Sequence, residues 1–202
     1  MARSSYHHGN LRQALVEATV RLIEENGPQG FTLAEAARLA GVSAAAPYRH
    51  FTGREDLLEE VARQGFEEFA ARLGTAFDDG RPRPLTAFLR MGQEYLGFAA
   101  ERRGFYIAMF ESGISITGNS GLQQASERAR GVLVRGAESL FVNRPGPQPP
   151  PGMIADHIWA LSHGVVELFG RGKPGSRSPI SAADMLESGA LIYLRGLGVI
   201  PD

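Results

Sequence analysis

The sequence predicts an all-α protein, and three observations carry that prediction. Apolar residues recur at helical spacing along almost the whole chain. No alternating apolar–polar run of strand length occurs. The periodic stretches are separated by Gly, Pro and helix-capping residues. The chain has 202 residues, 43% of them hydrophobic and 21% charged. That ordinary globular balance allows one medium domain, or a small module joined to a larger one.

Taken in order, Leu11, Leu15, Ala18 and Leu22 share one face of a first helix, with Asn10 as N-cap and Asn26-Gly27-Pro28 as its stop. Thr32-Leu33-Ala34-Glu35 is a capping box, in which each end residue's side chain satisfies the free N–H of the other. Its helix runs to Gly41. Ser43 caps a short third helix ending near Phe51. Thr52-Gly53-Arg54-Glu55 is a second capping box, opening a long helix with Leu58, Val61, Ala62, Gly65, Phe66, Phe69 and Leu73 inward. Arg81-Pro82-Arg83-Pro84 breaks the chain before a helix carrying Leu85, Phe88, Leu89, Gly92, Leu96 and Ala99. A short aromatic segment, Phe105 to Phe110, and a Gly/Ser-rich loop, Ser112 to Gly121, precede a helix of about Leu122 to Phe141. Five of the 12 prolines lie between Pro145 and Pro151, a stretch that is neither helix nor central strand. Two apolar helices, roughly Met153 to Gly170 and Ala182 to Leu197, finish the chain. No internal repeat occurs.

Composition narrows the function. Without cysteine there is no disulfide framework, no thiolate metal site and no Cys nucleophile. No segment approaches the ~18 uninterrupted apolar residues of a membrane span. The N-terminus has no apolar core behind Arg3, so no secretory signal is expected, and the reading is a soluble, cytoplasmic protein without membrane partners. The formal net charge of -1, taken whole, argues against a strongly basic nucleic-acid binder.

The segment from Thr32 to Phe51 has the proportions of a helix-turn-helix, with Ala40-Gly41-Val42-Ser43 as the turn. Gly41 supplies the positive φ for a tight exit, Val42 adds to the core, and Ser43 satisfies a free N–H. In such a motif the second helix enters the major groove. Ala44, Ala45, Ala46 and Arg49 would then meet base edges, the alanines on thymine methyls and Arg49 on guanine, with Tyr48 and His50 nearer the phosphates. Any two helices joined by a Gly turn share this outline, so spacing leaves DNA binding and plain packing both open.

A wider set of residues resembles a known family. Thr32-Leu33-Ala34-Glu35-Ala36-Ala37, Ala40-Gly41-Val42-Ser43, Tyr48-Arg49-His50-Phe51 and Arg54-Glu55-Asp56-Leu57-Leu58 together resemble the N-terminal domain of TetR-family transcriptional regulators. Tyr6-His7-His8-Gly9-Asn10-Leu11 is similar to the start of one branch of that family. Trp159, His163 and Gly164 resemble the signature of a Trp-His-Gly type C-terminal domain. The resemblance implies a homodimer of about nine helices per chain. Residues 1–54 would form a three-helix DNA-binding domain with a helix-turn-helix, and residues 55–202 a larger ligand-binding and dimerisation domain.

It also implies a repressor that binds a palindromic double-stranded operator and is released by a small-molecule effector. Carried over by motif position, Thr32, Ala44, Tyr48, His50 and Arg54 are DNA contacts. With the residues from spacing, the candidate DNA set is Thr32, Ser43, Ala44, Ala45, Tyr48, Arg49, His50 and Arg54. Thr32 and Arg54 stand at helix N-termini, where backbone N–H groups favour phosphate. Two departures stand out: Arg54 replaces the family's usual Lys, and Pro47 replaces its usual aliphatic residue, removing one N–H.

Charge divides with the regions. Residues 1–54 hold six Arg against four Glu, a net +2, and the rest hold 15 basic against 18 acidic residues, a net -3. Arg3, Arg12, Arg49 and Arg54 are the candidate phosphate or base partners, and such contacts make binding salt-dependent. In the larger region Phe88, Met91, Tyr95, Phe98, Tyr106, Met109 and Phe110, with Trp159 and His163, are the candidate effector-pocket lining, although residues at helical spacing equally form plain core. Asp156, His157 and His163 do not share one helical face, so no metal is expected. No nucleophile elbow, paired carboxylates or phosphate loop stands out, so neither cofactor nor enzymatic activity is expected. Ala182, Met185, Gly189, Ile192 and Gly196, with Ile158 and Val165, are the candidate dimer face. The open alternative is that this face packs within one chain.

Overall fold

A computed structural model describes residues 11–142, 146–170 and 180–200. Among these residues there are eight α-helices and no strand: α1 Leu11–Asn26, α2 Leu33–Leu39, α3 Arg54–Phe77, α4 Pro84–Glu101, α5 Arg103–Phe110, α6 Ser120–Ser139, α7 Pro151–Val165 and α8 Ala182–Gly196. Asn10, Arg3 and most of the Tyr6–Leu11 motif lie outside the described residues.

The chain forms two compact units. One holds residues 1–66 with Arg102–Gln124, and the other Glu67–Glu101 with residues 125–202. In the first unit, α1 contributes Leu15, Val16, Leu22 and Ile23, α2 contributes Leu33, Ala36 and Ala37, and the start of α3 contributes Leu57, Leu58, Val61, Ala62 and Phe66 to a buried core. The aromatic segment is a helix in this same core, with Phe105, Tyr106, Ile107, Ala108 and Met109 buried. Glycine lets it come close: a Cβ on Gly104 would sit 2.5 Å from the Val20 carbonyl oxygen, and one on Gly65 would sit 2.8 Å from Met109 Sδ.

In the second unit the core is aromatic. Phe69 is the hub, with the Tyr95, Phe98 and Trp159 ring centroids at 5.1, 5.0 and 6.2 Å. Offset or edge-on ring pairs of this kind stabilise by about 0.5–1.5 kcal/mol each beyond their buried area. Gly136, Gly92 and Gly189 admit Met91, Leu186 and Leu161 into close contact, so α4, α6, α7 and α8 pack with small residues at the crossings.

Two local expectations change. The short third helix between Ser43 and Phe51 is not α-helical: it is a pair of turns followed by one 3-10 turn, Pro47–Arg49. Pro47 is the reason. It has no N–H for the Ser43 carbonyl, and in a helix its ring collides with the carbonyl four residues back. Backbone bonds from Ala46 to Ser43, Arg49 to Ala46 and His50 to Pro47 therefore close three residues apart, at 3.0, 3.3 and 2.9 Å, and the Phe51 N–H alone reaches four back, to Pro47 at 3.0 Å. Among the described residues no side chain caps the turn, so the expected Ser43 cap is not made. The second capping arrangement is displaced by one residue. Asp56, not Glu55, accepts from the Thr52 N–H at 2.8 Å and from its hydroxyl at 3.2 Å. Because the Gly53 carbonyl accepts the first helical bond, from Leu57 at 3.3 Å, Gly53 is the cap, and Asp56 at the third helical position reaches one residue past it to Thr52 instead of closing a reciprocal capping box.

Candidate nucleic-acid interface

The interface is built from α2 outward. Thr32 is extended (φ -122°, ψ 158°), and its hydroxyl accepts the Glu35 N–H at 3.2 Å. The Glu35 carboxylate accepts the Thr32 N–H at 2.9 Å, so the capping box is closed in both directions. A cap of this kind stabilises by roughly 1 kcal/mol. At the other end Gly41 takes φ +73°, its N–H donates to the Arg38 carbonyl at 3.1 Å, and the Val42 N–H reaches the Ala37 carbonyl at 3.0 Å. These two bonds make a Schellman motif, which fixes the direction in which the chain leaves α2.

Held this way, Ser43, Ala44, Ala45, Tyr48, Arg49 and His50 are all exposed, Tyr48 at 64%. Pro47 is buried between them and Phe51 is 2% exposed, so these two residues anchor the segment while its polar side chains face outward. Thr32 is exposed on the same unit.

The arginines separate. Arg49 is exposed, whereas Arg12 lies over the Phe51 ring at 5.2 Å and pairs with Glu60 at 2.9 Å. Glu60, 7% exposed, also accepts from Arg63 and Gln64 at 2.7–2.8 Å. Burial by itself would raise the Glu60 pKa, but the bonds from Arg63 and Gln64 and the charges of Arg63 and Arg12 outweigh it and hold the carboxyl below its ordinary value. Arg54 lies over the Phe31 ring at 4.8 Å and donates to the Pro28 carbonyl and to Gln29 Oε1. Arg12 and Arg54 are thus committed to partners inside the unit, a use of arginine that motif position alone did not reveal.

The candidate effector residues fall in both units. Phe88, Met91, Tyr95 and Phe98 are buried on α4, and Trp159 and His163 are half-buried on α7. Tyr106, Met109 and Phe110 belong to the first unit, where Phe110 meets the Phe66 ring at 5.6 Å and Tyr106 at 4.9 Å. Sequence reading missed Phe69, whose ring gathers Tyr95, Phe98 and Trp159; its place on the inward face of a long helix looks like ordinary core. A groove of about 940 Å³ lies elsewhere in the second unit, lined by Arg72, Arg90, Glu94 and Glu101 among others, and by none of the nine candidate effector residues. There Arg72 bridges Glu94 and Glu101. No group of three or more potential metal ligands occurs among the described residues. Asp156 is held by Arg130 at 2.7 and 2.8 Å, and His157 Nδ1 meets the Tyr193 hydroxyl at 2.8 Å.

On the candidate dimer face, Ile192 is 68% exposed and Gly196 is exposed. Ala182, Met185 and Gly189 are half-buried, and Gly189 meets Leu161. Ile158 and Val165 are buried within the chain, as are Leu186, Ala190 and Leu194, which the sequence reading did not single out. No helix among the described residues is long and apolar enough to cross a membrane.

Comparisons with known proteins agree with this architecture. The family model for bacterial regulatory proteins of the tetR family matches residues 15–61, and the tetracyclin repressor-like C-terminal domain matches residues 88–190, just over half of the chain. The chain belongs to the TetR family of DNA-binding transcriptional regulators. The HTH-type transcriptional regulator BetI of Rhizobium meliloti is 30% identical over 141 residues, which is 65% of this chain and 61% of that protein. A protein of unknown function from Rhodococcus sp. RHA1 has a structure matching at a TM-score of 0.81 with 27% identity, over 96% of this chain and 99% of that one. The TetR-family regulator PfmR of Thermus thermophilus matches at 0.61 with 22% identity, over 91% and 98%, a likeness of fold.

Proposed function

We propose that the chain is a ligand-responsive repressor that binds a palindromic operator as a homodimer in the cytoplasm and leaves it when a small molecule binds. The observation that carries this reading is the exposed run Tyr48-Arg49-His50, presented beyond a doubly closed capping box and a Schellman turn. A polar surface on a rigid seat is what base and phosphate contact requires. Thr32, Ser43, Ala44, Ala45, Tyr48, Arg49 and His50 are the proposed contacts within a functional head of residues 1–54. Arg54 belongs to the set by resemblance, but its guanidinium is already taken up by Phe31, Pro28 and Gln29.

Dimerisation through α7 and α8 is supported by exposed apolar side chains, Met153, Ile192 and, just past α7, Leu168. A two-fold pair of heads reads two half-sites, which one short segment cannot. The effector region is residues 55–202, with a Trp-His-Gly type C-terminal part and the aromatic set around Phe69 as its first candidate lining. An effector releases DNA only by binding the DNA-incompetent arrangement more tightly. α3 is the continuous backbone from the head into the second unit, so it is the route along which that preference is transmitted.

Gel-shift titration against the duplex upstream of its own coding sequence tests the reading. A sequence-specific shift that weakens with salt is expected, and Tyr48→Ala with His50→Ala should abolish it while leaving the thermal unfolding temperature in place. No shift, or a salt-independent one, refutes the proposal.

A further inference from the structure

The α1–α2 turn, the start of α3 and the α5–α6 loop are joined by one side-chain relay. Arg54 opens α3, stacks on Phe31 at 4.8 Å and donates to the Pro28 carbonyl and Gln29 Oε1. Gln29 passes the link on, since its Nε2 donates to the Ser112 carbonyl at 3.1 Å. Ser112 is 4% exposed and is itself fixed where α5 ends, its hydroxyl donating to the Ala108 carbonyl at 2.7 Å. The far end of the loop is tied down as well. Asn119 donates to Glu59 of α3 at 2.6 Å, and its Oδ1 accepts the Gly121 and Leu122 N–H groups in the first turn of α6 at 2.9 and 3.1 Å. Phe31, the ring under Arg54, is 3% exposed and directly precedes Thr32, the cap of α2.

We propose that Arg54 is a positioning residue and not a phosphate ligand: it holds the turn that seats Thr32, and through Gln29 it ties that seat to the α5–α6 loop. This rests on the DNA-binding reading but changes the role of the one residue there whose guanidinium is already engaged. The chemistry needs arginine. A planar guanidinium stacks on a ring while its edge donates two bonds, whereas a lysine ammonium is a strongly hydrated point charge without that plane. The link has a regulatory consequence. The loop leads into α6, so any shift of α6 that drags the loop also pulls on Gln29 and the seat of Thr32.

The test compares Arg54→Met and Arg54→Lys with the full-length protein, using fluorescence anisotropy on the duplex upstream of its own coding sequence over a salt series. Removing a phosphate ligand lowers the slope of log affinity against log salt by about 1. The expected result is an unchanged slope for both variants, with binding weakened about tenfold at every salt concentration. Lys should fail to rescue Met, because charge alone does not stack. A slope reduced by about one in Arg54→Met, restored by Lys, overturns the inference. Arg49→Gln is the positive control for slope loss. If the wild type itself shows no salt-dependent binding, the DNA reading fails instead. Amide exchange in the free protein then decides the relay: Arg54→Met should speed exchange at Thr32 and at Ile114, whose N–H donates to the Ser112 hydroxyl at 3.4 Å, together. Exchange raised at Thr32 alone, or at neither, refutes the link.

Discussion

Replacing Gly104 with alanine is a direct probe of how the first unit is held together. A Cβ there would lie 2.5 Å from the Val20 carbonyl oxygen and 2.7 Å from Val20 Cγ1, where ordinary contact begins at 3.4 Å. The obstacle is backbone, which cannot rotate away, so α1 and α5 must part by about 0.9 Å. Overpacking of this kind costs about 1–3 kcal/mol, against which Gly→Ala, here at the second residue of α5, returns less than the about 1 kcal/mol of a helix interior. The net expectation is a loss of about 1–2 kcal/mol, or about 2–8 °C in unfolding temperature for a chain of this size. Gly65→Ala is the internal control. Its Cβ would meet Met109 Sδ at 2.8 Å and Cγ at 3.0 Å, a flexible side chain that can give way, and Phe105 Cβ at 3.2 Å, which asks for a shift of only a few tenths of an ångström. That variant should stay within about 1 kcal/mol of wild type. Differential scanning calorimetry of the three proteins settles it. Equal losses, or a larger loss at Gly65, would refute the claim that backbone contact at α1–α5 sets the close approach.

Two further expectations concern the first unit. The Glu60 carboxyl has a depressed pKa in the folded state, so its contribution is whole above the ordinary carboxylate value of 4.5 and is lost as pH falls through the lower folded value. Glu60→Gln should therefore destabilise by roughly 1–3 kcal/mol at neutral pH, and urea titrations should show the gap to wild type closing below 4.5; a gap that widens on acidification contradicts the assigned charges. Pro47→Leu restores the missing N–H, so the segment after Ser43 should gain about one α-helical turn in far-UV circular dichroism and change its operator affinity. Unchanged spectra would mean that something other than the proline holds the 3-10 turn.

The helices were legible in the sequence because their evidence is local. Caps, breakers and a 3.6-residue apolar period are written in consecutive residues, so Thr32 with Glu35, Gly41 and Pro84 mark ends that the chain itself dictates. The exposure of Tyr48, Arg49 and His50 was legible for the same reason, since a short segment anchored by Phe51 has few ways to turn. Even the proline departure could be read, though not its outcome, because the balance between α and 3-10 geometry depends on what buries Pro47.

What pairs with what was not legible. The long cationic side chains had several partners within reach, and only the packed unit decided that Arg12 would rest on Phe51 and Glu60, and Arg54 on Phe31 and Gln29. The aromatic residues of the second half looked alike in sequence, yet the fold sends Tyr106, Met109 and Phe110 to the core of the first unit and gathers Tyr95, Phe98 and Trp159 on Phe69. Sequence by itself determined the all-helical class, the helix ends marked by local caps such as Thr32 and Gly41, and the family. Tertiary structure decided which charges remain outward-facing and which glycines let helices touch. The physical reason is range: a cap or a period needs only neighbours along the chain, whereas an ion pair or a ring contact needs two distant segments fixed in space.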